Sequence, residues 1–146
     1  MKETKRNLKV LSIVILAMAV YSLIRVVLSV FTMDFDTSNL PDGATASIVL
    51  AGQIAVCVIS LILLLPQVFV GVKGIKVSNT PDSSKAHIVW AVILTVFSSI
   101  GVISPVLNLI QKTDIVGNLF EAADMAIDAV IYIVYIKCAK QLLKAA

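Results

Sequence analysis

The chain has 146 residues, a formal charge of +3, 59% hydrophobic residues and only 14% charged ones. With a mean hydropathy of +0.99, it lacks the polar side chains needed to cover a soluble domain. Its length makes residues 1–146 one domain, and its basic residues sit beside apolar runs rather than among exposed aromatics, which argues against a nucleic-acid surface. The expected class is an all-α polytopic membrane protein.

Met1–Lys9 (MKETKRNLK) is a basic head carrying Lys2, Lys5, Arg6 and Lys9. The first apolar run, about residues 8–31, is long enough to cross roughly 30 Å of hydrocarbon. Ala17-Met18-Ala19 has the small-x-small pattern of a signal-cleavage site, but the apolar run continues past it, so an uncleaved anchor is expected. Thr32–Gly43 contains Asp34, Asp36 and Asp42 with no Lys or Arg, and Pro41 and Gly43 mark it as a turn. A second span covers about 45–70, with Gln53 and Cys57 inside. Pro66, near its inner end, is expected to bend or fray the last turn because it removes a backbone donor.

Gly71–His87 is basic again, through Lys73, Lys76 and Lys85. Gly71 and Gly74 are too sparse to cradle a phosphate, and the Walker spacing is missing. Thr80-Pro81 reads as an N-cap followed by proline at the first helical position, with Ser83 as an alternative cap. The third span is about 88–110, with Trp90 near the inner interface and a cluster of Ser98, Ser99, Gly101, Ser104 and Pro105 that predicts a kink or a close helix crossing. After a short connection, Gln111–Asn118, the fourth span covers about 117–137 and leads into a basic helical tail with Lys137, Lys140 and Lys144.

Orientation follows from charge. Ten of the twelve basic residues fall in the head, the 71–87 connection and the tail. The positive-inside rule then gives four transmembrane helices with both termini cytoplasmic.

The fourth span carries Glu121, Asp124 and Asp128 within roughly 60° of one another on the helix circumference. Tyr132 and Tyr135 continue the same stripe, while Leu119, Ala123, Ala126, Val130, Ile133 and Val134 occupy the opposite face. Carboxylates at membrane depth need a partner. Arg25 lies about 10 Å below the outer end of the first span and Asp124 about 9 Å below that of the fourth, so the depths match for an intramembrane ion pair. Tyr21, Ser22, Ser29 and Thr32 share the face of Arg25; Gln53, Cys57, Ser60 and Gln67 form a third stripe, with Gln53 near the depth of Asp128. These stripes are expected to meet inside the bundle, with Gln53 and Tyr132 as supporting polar residues. Three acids against one guanidinium leave surplus negative charge, so one carboxyl, Asp128 first, should hold a proton or a cation. A structural reading stands beside this: Arg25 reaching the headgroups, and Asp128 locking the bundle as a neutral acid.

Cys57 and Cys138 lie at different depths and form no framework, and with a single histidine there is no metal site. His87 reads as an interfacial histidine, and Tyr132 and Tyr135 as members of an aromatic belt. No nucleophile–base pair stands out, so no enzyme activity and no cofactor are expected.

The segment Gly71–Leu94, GVKGIKVSNTPDSSKAHIVWAVIL, resembles the central loop and third helix of small uncharacterised bacterial four-helix membrane proteins. The resemblance covers this segment alone and implies a bacterial inner membrane without implying an activity. Two functions fit the residues. One is a small transporter or channel subunit coupled to H+ or Na+, homo-oligomeric or in a larger membrane protein, with Asp128, Asp124 and Glu121 as the ion-binding ladder. The other is a non-transporting partner, immunity or regulatory subunit whose buried polar residues only fix packing.

Overall fold

The computed structural model describes residues 2–32, 46–80, 84–111 and 115–145. The described secondary structure is entirely helical: α1 (Lys2–Thr32), α2 (Ala46–Asn79), α3 (Ala86–Gly101), α4 (Ile103–Ile110) and α5 (Ile115–Ala145). Three stretches, Lys2–Leu28, Leu50–Asn79 and Ala86–Ile110, are long and apolar enough to cross a membrane. The 31-residue α5 has the length, and it differs from these three in its acidic stripe.

The helices pack in a ring in which α1 touches α2 and α5, and α3 touches α2 and α5. Neighbours run antiparallel. Ser12 and Leu16 of α1 meet Gly74 and Gly71 of α2, and Arg25 meets Asp124 of α5. His87 of α3 meets Tyr135, while Gly101 meets Met125. The start of α1, the end of α2, the start of α3 and the end of α5 therefore gather at one end, which we call the basic end because it carries Lys2, Lys5, Arg6, Lys9, Lys73, Lys76, Lys85, Lys137, Lys140 and Lys144. The Arg25–Asp124 end is the acidic end.

The core lies at the basic end. Leu8, Ile15, Val70, Val77, Ile88, Ala91, Tyr132, Tyr135, Cys138, Ala139 and Leu142 form one buried cluster. On α5 the six apolar residues assigned to the face away from the acids are all exposed. The tail beyond Lys137 is helical and buries Cys138, Ala139 and Leu142, so it belongs to the bundle.

Two local expectations are corrected. First, α2 does not end near residue 70 but continues to Asn79, and Pro66 lies in its interior. The extension holds because its inner face is packed: Val70, Gly71, Gly74, Val77 and Ser78 are all buried. Second, Thr80 does not cap α3. Its amide and hydroxyl both bond back to the Lys76 carbonyl, at 2.9 and 3.1 Å, and so finish α2. Ser83, the alternative cap, lies outside the described residues. Helix α3 starts at Ala86 after Lys85, with no side-chain cap, and is anchored instead by burial of His87 and Ile88. The kink and close crossing expected from the Ser98–Pro105 cluster are present, with the 88–110 segment interrupted at Val102 between α3 and α4. Pro105 has no amide proton to give the Gly101 carbonyl, so the ladder loses a rung there, although Val102 still donates to Ser98 at 3.3 Å and Val106 to Val102 at 3.2 Å. The absent side chain of Gly101 also lets Met125 of α5 come close.

Candidate functional site

The polar residues divide into a clasp at the basic end and a groove at the acidic end. In the clasp, Tyr135 is fully buried and donates its hydroxyl to the Val70 carbonyl at 3.1 Å, spanning the ring from α5 to α2. Its ring meets the buried His87 edge-on, with centroids 6.1 Å apart. Gly74 leaves the space that the Tyr135 ring and the Ser12 hydroxyl occupy. Ser12 is itself buried and bonds back to the Leu8 carbonyl at 2.7 Å. One turn nearer the acids, Tyr132 is buried and hydrogen-bonds the side chain of Gln67. The stripe of α2 thus meets the stripe of α5 here, through Gln67.

The groove lies between α1 and α5. Tyr21, Arg25, Gly117, Phe120, Glu121 and Asp124 line about 340 Å³. Arg25 Nη1 stands 3.4 Å from Asp124 Oδ2, with both side chains substantially exposed, at 60% and 49%. Glu121 lies almost one turn from Asp124 on the groove wall. Asp128, half-buried, is one turn deeper. It feels the charge of Asp124 from one side and acts on the Tyr132 hydroxyl on the other. Glu121, Asp124, Asp128 and Tyr132 thus follow one another along one face of α5, from the open groove toward the clasp, where Gln67 of α2 stands beside Tyr132. Beyond the groove, Asn108 donates to Asn118 at 3.2 Å and ties α4 to the first turns of α5.

Of the sequence-predicted site residues, Arg25 and Asp124 lie together, Glu121 shares their groove, and Asp128 and Tyr132 follow along the same face of α5. The side chain of Gln53 lies outside the described residues. His87, Tyr132 and Tyr135 are each buried, because the extension of α2 covers that level of the bundle. Ser12, Gly74 and Phe120 were not singled out as site residues. Gly71 and Gly74 were readable as a helix face that admits close packing, but only once α2 is continued past residue 70. Cys138, just beyond the fourth apolar run, is buried, and burial pushes its thiol up from the usual range, partly offset by Lys137. That makes it a poor nucleophile. Among the described residues no three His, Cys, Asp or Glu side chains converge as a metal site.

Fold and site together define a helical protein with membrane-length apolar helices, packed at one end and opened by a charged groove at the other. Comparison with protein-family models, curated proteins and solved structures gives no match to this chain.

Proposed function

We propose that the chain is an integral protein of the bacterial inner membrane with four spans, α1, α2, α3–α4 and α5, and both termini in the cytoplasm. The gathering of ten basic residues at one end supports this orientation, since cytoplasmic ends carry the Lys/Arg excess. We further propose that the α5 ladder binds a proton or a small monovalent cation within a small transporter or channel subunit. One observation carries this reading: among the described residues, three carboxylates on one face of α5 are opposed by a single guanidinium, and Asp128 lies one turn below the Arg25–Asp124 pair. Low dielectric disfavours the unbalanced charge, so the ladder takes up a positive charge. Its acids are strung along a helix rather than gathered into a cage, which suits a proton better than a multidentate ion.

The test is flux in proteoliposomes. Asp128→Asn is expected to abolish proton- or sodium-dependent flux while the protein still runs as a monodisperse, helical species. Unchanged flux in a folded Asp128→Asn variant would end the ion-binding reading.

A second reading has its own support. The basic half is closed by Tyr135 reaching across the ring to Val70, as expected of a bundle that only presents surfaces to a larger partner. In that case the intact protein shows no flux, and co-purification with a membrane partner is indifferent to Asp128→Asn.

A further inference from the structure

On the opposite edge of the ring from the acidic groove, α2 and α3 enclose a second groove of about 380 Å³ lined by Ile62, Leu65, Pro66, Phe69 and Trp90. Its walls are apolar, and Ile62, Leu65, Phe69 and Trp90 are exposed on the outside of the bundle. At 100° per residue, Ile62, Leu65, Pro66 and Phe69 share one face of α2, and the same face continues to Lys73 and Lys76. Ile62 to Phe69 spans about 10 Å; Lys73 lies about 6 Å and Lys76 about 10 Å beyond Phe69 toward the basic end. Lys76 is exposed and Lys73 half-exposed. Trp90 faces α2 at the groove, and indoles concentrate where acyl chains give way to headgroups. An apolar channel that ends on two ammonium groups at headgroup level matches one kind of molecule, a lipid with an apolar chain and an anionic phosphate.

We propose that the α2–α3 groove binds one acyl chain of an anionic phospholipid, with its phosphate held by Lys73 and Lys76. A zwitterionic lipid fills the groove with the same chain, but its own positive headgroup offsets the attraction of the lysines. This site depends on the membrane placement of the bundle and is independent of ion transport.

Trp90 is the single tryptophan of the chain, so its fluorescence reports on this groove alone. The full-length protein is reconstituted in phosphatidylcholine vesicles containing a small, matched fraction of acyl-brominated phosphatidylglycerol or acyl-brominated phosphatidylcholine. Both lipids are expected to quench Trp90, with the anionic lipid preferred by about fivefold for each lysine engaged. Lys73→Gln with Lys76→Gln should bring the preference close to unity, while Lys140→Gln with Lys144→Gln, which removes equal charge from the end of α5, should leave it intact. Equal quenching by the two lipids in the unmodified protein overturns the site alone. An equal loss in both double variants reduces it to general surface charge and also overturns it. Trp90 quenched by neither lipid, as when a second copy of the chain covers the groove, overturns the site together with the exposure of this face to membrane.

Discussion

The two ends of the bundle solve the problem of a polar group among apolar helices in opposite ways. At the basic end, three buried polar side chains are matched inside the bundle: Tyr135 to Val70, Ser12 to Leu8, Tyr132 to Gln67. Small residues let the backbones approach until these contacts close. At the acidic end charged side chains stand between the helices themselves, around an open groove walled by Tyr21 and Phe120. Lipid tails give helices no hydrophobic reason to associate, so packing contact is what binds them. Where that contact is made, the bundle is sealed; where it is not, charge can be accommodated. Asp128, half-buried, stands on the boundary between the two.

The strongest way to break this contrast is to fill the clasp. A β-carbon at Gly74 would lie 2.7 Å from the Tyr135 ring and its hydroxyl, and closer still to the Ser12 hydroxyl. Both neighbours are buried and hydrogen-bonded, so neither moves aside easily. Gly74→Ala is expected to destabilise the bundle by about 1–3 kcal/mol, and Gly74→Leu should prevent monodisperse purification. Gly52, toward the acidic end of α2, has nothing within 4 Å of such a carbon. Gly52→Ala should therefore be neutral or stabilising by up to about 1 kcal/mol through helix propensity alone. Thermal melts of the two variants in one detergent decide the matter. A Gly52→Ala loss as large as that of Gly74→Ala would show that stability is spread evenly along the bundle.

A finer cut separates the ring of Tyr135 from its hydroxyl. The Val70 carbonyl also stands within the helical ladder of α2, so Tyr135→Phe removes one bond without orphaning the acceptor. The expected loss is about 0.6 kcal/mol, near the average for side-chain bonds between membrane helices, whereas Tyr135→Ala should cost several times more by emptying the centre of the clasp. Equal losses from Phe and Ala in thermal melts would mean that the hydroxyl, not the packing, holds the basic end closed.

The helical class and the amphipathic division of α5 were legible because both rest on local periodicity: apolar runs of membrane length, and acids at i, i+3 and i+7. The Arg25–Asp124 approach was suggested by counting depth along two helices, which works wherever helices start near a common plane. The clasp was not legible in the same way. Residues 71–79 carry glycines, lysines and polar side chains that read locally as a connection, and their helical state is secured by burial against α1, a tertiary effect invisible to composition. The burial of His87, Tyr132 and Tyr135 in the core was not foreseen, because α2 was ended too early. Thr80-Pro81 has the order of a helix start, but the Thr80 hydroxyl reached backward to Lys76, because threonine can bond a carbonyl one turn earlier as readily as an amide ahead.

The smallest expected effect is the most discriminating for the acidic end. Arg25 and Asp124 are separated by 3.4 Å, with 60% and 49% of their side chains exposed in the bundle, so what screens them is whatever fills the groove. If water enters from the membrane surface, the pair behaves as an exposed one, and a double-mutant cycle of Arg25→Gln and Asp124→Asn should give a coupling below about 1 kcal/mol. A coupling of several kcal/mol would instead require that the pair be desolvated, since an arginine stranded in hydrocarbon is costly. The acidic end would then be as much a structural clasp as the basic end, and surplus charge on the ladder would have no water through which to exchange. We expect the weak coupling: Tyr21 and Phe120 wall the groove without closing it, leaving Arg25, Glu121 and Asp124 open to water.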